Sequence, residues 1–400
     1  MTETISNLHS TPSSERIHIG FFGCRNAGKS SLVNAITNQD LAVVSDIKGT
    51  TTDPIHKAME LLPLGPVVMI DTPGFDDEGQ LGKLRIEKTQ KILKRVDIAI
   101  LVVDGSVGLN EYDKQLWSLI QQRKIPCLQV FNKADIVKNK ENQFWVSSKT
   151  REGIENLKEK IGSLKKEMQP SFPILEDIIH KGDKVILVIP IDESAPKGRL
   201  ILPQQLVLRN LLDIGATGLV CQPNYLQETI DSLQEKPRLV ITDSQVFDEV
   251  NSIVPSAIAL TSFSIVLARH KGYLQTALQG VKAISQLEDG DKILLAEGCT
   301  HHRQCNDIGT VKIPNWLRAY SQKKIQIDTC SGKDFPLDVS PYKAVIHCGG
   351  CMITQRDVQS RKEQSISQGV PFINYGIVIA AMTKTLERSI SIFEKDGTNK

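Results

Sequence analysis

The chain has 400 residues, enough for two or three domains, and its 48 Lys and Arg stand against 46 Asp and Glu. Near neutrality gives no argument from composition for a nucleic-acid partner, and neither a signal-peptide core in residues 1–16 nor an apolar run near ~18 residues points to export or membrane insertion. A cytosolic protein is expected, in which the eight cysteines read as metal or redox groups in preference to disulfides.

Residues 1–14 form a polar tail, and a predicted strand at 17–22 then leads into Gly23-Cys24-Arg25-Asn26-Ala27-Gly28-Lys29-Ser30, followed from Ser31 by a helix-forming run to residue 37. The pattern G-x-x-x-x-G-K-S/T between strand and helix surrounds phosphates with backbone N–H groups. Lys29 reaches the β- and γ-phosphates, and the Ser30 hydroxyl binds Mg²⁺. Residues 49–53, Gly-Thr-Thr-Thr-Asp, are the expected switch loop, with Thr51 closing on Mg²⁺. Asp71-Thr72-Pro73-Gly74 follows an apolar strand at 67–70; the aspartate suits the second shell of the metal, and the Gly74 N–H senses the γ-phosphate. Asn132-Lys133-Ala134-Asp135 follows a strand at 127–131, and its aspartate accepts N1–H and the exocyclic amine that guanine alone offers together. Ser147-Ser148-Lys149, after a short strand at 144–146, completes the base-binding loop. Four motifs in this order describe a GTPase, with Lys29, Thr51 and Gly74 as its catalytic groups.

This domain resembles the translation-factor-like GTPases related to tRNA-modification and ribosome-assembly enzymes. The resemblance implies a potassium ion held by Asn26 beside the phosphates. Phe75 stands where Ras-like proteins place a water-orienting glutamine, so unaided hydrolysis is expected to be slow and potassium-activated.

The GTPase domain is expected over 15–168, ending in a charged helix at 153–168 and a proline-containing break at 169–173. A second α/β alternation follows over 174–262, with strands at 184–190, 218–222, 238–242 and 257–261 and helices at 203–213, 225–234 and 245–253. It carries no catalytic constellation, so self-association is its natural role. A third α/β unit, 263–400, opens with a helix at 272–287 and has strands at 292–296, 324–328, 344–347 and 372–373. The fold class is therefore α/β: a P-loop GTPase domain followed by two small domains with mainly parallel sheets.

Cys299-Thr300-His301-His302 and His347-Cys348-Gly349-Gly350-Cys351 each follow a predicted strand of the third unit. Two thiolates across a Gly-Gly turn can bite one metal, and Cys299 meets them if the strands are neighbours. Three cysteines are one short of the usual set for an iron–sulfur cube, whereas zinc is satisfied by Cys₃His with His347 or His301. Cys305 and Cys330 are further contenders, and a zinc knot or ordinary buried cysteines remain open at this point.

With these segments the whole chain resembles the [FeFe]-hydrogenase maturation GTPases of the HydF family. The resemblance implies a [4Fe-4S] cluster on Cys299, Cys348 and Cys351, with His301 or His347 as an exchangeable fourth ligand. It also implies a homodimer that carries a transient diiron precursor and transfers it to apo-[FeFe]-hydrogenase, with two radical-SAM maturases as further partners and neither nucleic acid nor membrane. An RNA-directed GTPase of tRNA modification or ribosome assembly is the competing reading, and a zinc-stabilised interaction protein a third. The terminal unit, however, offers cysteines and no evident basic clamp for RNA.

Overall fold

The computed structural model describes residues 11–38, 55–74, 89–137, 143–168, 172–191, 198, 200–299, 307–332 and 334–394. It divides into two compact units, Met1–Pro170 and Ser171–Lys400. Among the described residues no helix is long and apolar enough to cross a membrane.

The first unit is built on a five-stranded sheet in the order β2-β3-β1-β4-β5, from β1 (Ile17–Phe22), β2 (Ile55–Leu61), β3 (Gly65–Asp71), β4 (Ile98–Asp104) and β5 (Cys127–Asn132). Only β2 runs antiparallel, along β3. Side chains alternate strictly across the central strands. Ile98, Ile100 and Val102 enter one core with Ile19, Phe21 and the helix Lys29–Thr37. Ala99, Leu101 and Val103 enter the other with Phe22 and Ile70. Burial on both faces explains why β4 reads as a continuous apolar run. The expected strand at 144–146 is a single bridge between Phe131 and Trp145, whose rings pack 5.2 Å apart.

The second unit holds two four-stranded, wholly parallel sheets of the same winding. One has the order β7-β6-β8-β9, from β6 (Lys184–Val188), β7 (Thr217–Cys221), β8 (Leu239–Thr242) and β9 (Ala259–Ser262). The other has the order β11-β10-β12-β13, from β10 (Lys292–Glu297), β11 (Gln326–Ser331), β12 (Ala344–His347) and β13 (Phe372–Asn374). The helix expected over 272–287 divides into Leu274–Gly280 and Lys282–Ser285, which lets Leu274, Ala277, Ala283 and Ile284 all reach one core. β11 lies later than the expected 324–328, so Cys330 sits within the strand.

The two sheets share helices. In Phe263–His270, Phe263 and Val266 pack into the first sheet's core while Ile265 and Ala268 pack into the second's. In Leu386–Glu394, Ile392 joins the first core and Ile390 the second, and the helix lies along β9. A boundary at 262/263 therefore runs through continuous packing. At the opposite edge no further strand pairs with β7 among the described residues, and Val220 is half exposed.

Candidate functional site

The nucleotide motifs meet at the C-terminal ends of β1, β3 and β5. Gly28 precedes the helix Lys29–Thr37 at φ 87°, a left-handed conformation that glycine adopts without cost. It is also pressed against the base-binding loop, since a Cβ there would lie 2.2 Å from Asn132 Nδ2. Asn132 ties three segments together: its Nδ2 donates to Ala27 O at 3.0 Å and to Ser148 Oγ at 3.3 Å, and its Oδ1 accepts from Ser148 N at 3.1 Å. Lys133, itself left-handed at φ 67°, pairs with Asp104 Oδ2 at 2.5 Å.

Asp135 is exposed, as a group that reads a ligand's edge must be. The Ser147 hydroxyl donates to its Oδ1 at 2.6 Å and holds the carboxyl below its usual range, with Lys149 and Lys133 contributing charge. Each carboxylate oxygen carries two lone pairs, so Oδ1 accepts from Ser147 and still offers an acceptor to guanine.

At the phosphate end, Lys29 is buried and donates to Gly23 O at 3.0 Å and Cys24 O at 2.8 Å. Ser30 Oγ donates to Asp71 Oδ2 at 2.5 Å. Burial lifts the Asp71 carboxyl above its ordinary value, against the Ser30 hydrogen bond and the charges of Lys29 and Lys57. Its other oxygen, Oδ1, is buried with no hydrogen-bond partner among the described residues. An orphaned carboxylate oxygen beside a serine hydroxyl fits the outer shell of a Mg²⁺ ion, with Ser30 as direct ligand. Asn26 is exposed and left-handed at φ 59° in the same loop, Gly74 packs against Arg25, and Ser31 continues the helix. Thr51 lies outside the described residues.

Sequence reading missed two groups of this site. Lys57 on β2 is buried and donates to Asn34 Oδ1 at 2.5 Å. Asp113, buried in the capping box of Glu111–Gln122, accepts from the Cys24 thiol at 3.3 Å. A lysine in an amphipathic edge strand and an aspartate in a helix's first turn give no local sign of such contacts.

The cysteines meet in the second unit. β10 and β12 are neighbours with Ala296 opposite His347, so Cys299 and Cys348 leave adjacent strand ends. Cys348 Sγ accepts the backbone N–H groups of Gly298 at 3.1 Å and Gly350 at 3.4 Å. Burial raises its thiol despite those donors, and burial with the neighbouring Cys348, Cys351 and Glu297 pushes Cys299 to about 12. Cys330, level with Ala296, is pushed by burial to about 11. Among the described residues no three His, Cys, Asp or Glu side chains are gathered tightly enough to grip a single metal ion. A cube takes each thiolate on a different iron, so its ligands stand further apart. Partly buried thiols near one another, one already cradled by two amides, suit such a cluster.

His347 has another part. It is fully buried between Tyr273 and Phe372, its Nδ1 donates to Cys348 O at 2.6 Å, and its Nε2 faces Arg361 at 3.2 Å. Burial, then the Arg361 charge, depresses it to about 3, so it is neutral with both nitrogens engaged. In this arrangement it offers no nitrogen to a metal and orients the Cys348 backbone instead. Arg361 is anchored by Asp357 at 3.1 Å and Gly332 O at 2.6 Å. His301 and Cys305 lie outside the described residues. Glu297, buried at the end of β10 two residues before Cys299, and Tyr375 are site residues that sequence reading missed. A charged residue ending the run Lys292–Glu297 was the available signal for the first.

Comparison with known proteins matches three segments of the chain. Residues 18–133 match the 50S ribosome-binding GTPase family, 174–272 the hydrogen maturase F dimerization domain, and 275–392 the hydrogen maturase F tetramerization domain. Curated relatives include the GTPase Der of Nitratiruptor sp. (28% identical over 270 residues, 56% of this chain and 58% of that one). The tRNA modification GTPase MnmE of Carboxydothermus hydrogenoformans is 41% identical over 135 residues, 34% of this chain and 28% of that one. The chain thus spans less than two thirds of the length of these relatives. Among solved structures, Aquifex aeolicus Era bound to GDP and aluminium fluoride aligns with 51% of this chain and 92% of its own at 17% identity and a TM-score of 0.34. A probable GTP-binding protein engB aligns with 38% of this chain and 99% of its own at 21% identity and a TM-score of 0.31.

Proposed function

The chain belongs to the hydrogen maturase F family and carries a GTPase domain ahead of that family's two domains, and from this premise we propose that it is a GTP-hydrolysing scaffold of [FeFe]-hydrogenase maturation. In this reading it binds a [4Fe-4S] cluster and passes a diiron precursor to apo-hydrogenase, with the two radical-SAM maturases as its other partners. One observation carries the reading. A single chain combines a base-reading and phosphate-binding constellation with cysteines at adjacent strand ends, one of them cradled by backbone amides.

Lys29, Ser30, Asp71 and the Gly23–Gly28 loop would hold the triphosphate and Mg²⁺, Asp135 the guanine, and Asn26 a potassium ion; the metal supplies charge neutralisation between the phosphates. Cys299, Cys348 and Cys351 would hold the cluster, which supplies an iron with a replaceable ligand. Residues 15–168, 174–262 and 263–400 are the proposed nucleotide, dimerisation and cluster regions. The last two are packed together through shared helices. The β7 edge supports self-association, because the helix Leu386–Glu394 lies along β9 whereas no strand pairs with the outer side of β7 among the described residues.

Anaerobic reconstitution of the full-length protein with iron and sulfide tests the reading. The loaded protein should contain iron and acid-labile sulfide in equal amounts. Its GTPase rate should be higher in potassium than in sodium salts, and the rise should be blunted by Asn26→Ala. Zinc in place of iron, or no metal at all, would sink the scaffold reading. Equal rates in both salts would sink the potassium assignment alone.

A further inference from the structure

The first turn of the helix Glu111–Gln122 carries a carboxylate that the helix only half uses. Asp113 Oδ2 accepts from Asn110 N at 3.4 Å, and Asn110 Oδ1 accepts from Asp113 N at 2.9 Å, which caps the helix. Capping asks no more of the side chain than that, and an aspartate in such a position ordinarily stands in water. Asp113 is instead 1% exposed. Its Oδ1 accepts the Cys24 thiol at 3.3 Å, and the Cys24 backbone N–H donates to the same carboxylate. The Cys24 sulfur in turn accepts from Asn110 Nδ2 at 3.3 Å.

Cys24 is the second residue of the phosphate loop, and its carbonyl accepts from Lys29 Nζ at 2.8 Å. A line of contacts therefore runs from Asp113 to the Cys24 N–H and thiol, and from the Cys24 carbonyl to the ammonium. The residue before Cys24 is fixed by backbone: a Cβ at Gly23 would lie 2.2 Å from Val102 O at the end of β4. Burial raises the Asp113 carboxyl, opposed by its hydrogen bonds from Cys24 and Asn110 and by the charge of Lys29. A carboxylate is costly to bury unless donors and opposite charge compensate it. Here much of that compensation comes from the phosphate loop, 89 residues away in sequence.

Resting on the GTPase reading above, we propose that Asp113 is a positioning residue for GTP: it holds Cys24, and through the Cys24 carbonyl it fixes Lys29 for the β- and γ-phosphates. The ammonium is thereby set before the nucleotide arrives, which spares GTP binding the cost of ordering it.

The test is a double-mutant cycle in the full-length protein, reading the affinity for a fluorescent GTP analogue with Mg²⁺ present. Asp113→Asn keeps the size of the side chain and one acceptor for the cap, but removes the charge and one of the two acceptor oxygens. It should weaken GTP binding on the order of ten-fold, since hydrogen bonds to a charged group are lost. In a Lys29→Ala background, where no ammonium remains to be placed, the same change should cost less than about two-fold. A carboxylate that serves only the helix would cost the same factor in both backgrounds, and that result overturns the proposal. So does an Asp113→Asn protein that binds GTP as tightly as the wild type. If Asp113→Asn does not fold, Cys24→Ala decides: it takes the thiol from Asp113 without touching the cap. It should weaken binding several-fold with Lys29 present and not without it, and equal losses again overturn the proposal. A wild type that binds no GTP overturns the GTPase reading itself, whereas a binding wild type with uncoupled variants overturns this inference alone.

Discussion

At the scale of single residues, specificity rests on groups held by neighbours distant in sequence. Asp135 is pinned by Ser147 at 2.6 Å, which fixes the carboxylate proposed to read the base before any ligand arrives. Asp135→Asn exchanges an acceptor pair for a mixed donor and acceptor, matching xanthine in place of guanine. The GTP-over-XTP preference should fall by roughly a hundredfold or more in competition binding, because an unmatched polar edge is strongly rejected. A variant that still prefers GTP would show that Asp135 does not read the base. His347 illustrates a residue whose neighbours decide its role. Its folded value of about 3 lies below its ordinary 6.5, so the unfolded chain binds the extra proton. The stability this neutral imidazole contributes is full above pH 6.5 and is lost as the pH falls towards 3. The urea midpoint of the apoprotein should decline over that window, and His347→Gln should decline less steeply. Parallel curves for the two proteins would remove the assignment.

At the scale of elements, the cysteine site depends on which strands are neighbours. β10 lies between β11 and β12, so Cys299 and Cys348 follow adjacent strand ends, while Cys330 lies within β11 level with Ala296. Backbone amides of Gly298 and Gly350 reach the Cys348 sulfur. Cys348→Ser, which replaces a soft thiolate with a weaker hard donor, should sharply reduce bound iron, measured by iron and sulfide analysis after reconstitution. GTP hydrolysis should persist in the same variant, since every described nucleotide contact lies within the first unit. Full iron retention in Cys348→Ser, or iron loss in Cys330→Ser instead, would reassign the ligand set.

At the scale of the whole molecule, association is expected to use the edge that the fold leaves open. The helix Leu386–Glu394 lies along β9, while β7 presents Val220 at 50% exposure. Substituting Val220→Pro removes a strand N–H and should lower the dimer fraction several-fold in sedimentation at fixed concentration. An unchanged sedimentation profile would place the interface elsewhere.

The sequence alone determined what depends on local order. A loop of the form Gly23 to Ser30 between a strand and a helix, followed by Asp71, Asn132 and Ser147 at later strand ends, can be read without tertiary knowledge, because backbone geometry near phosphate is set within a few residues. The alternation of strands with helices likewise revealed parallel sheets, since buried strands are apolar throughout. The tertiary structure alone decided what depends on pairing across the chain. It seated His347 against Arg361, fourteen residues later in sequence, and so engaged a nitrogen that spacing had offered to a metal. It joined the two later sheets through helices that serve both cores, where sequence suggested a boundary. It also brought the Tyr375 hydroxyl and the carboxylate of Glu297 to one point at Gly309. Burial and hydrogen-bond satisfaction are properties of that packing, and no run of neighbouring residues encodes them.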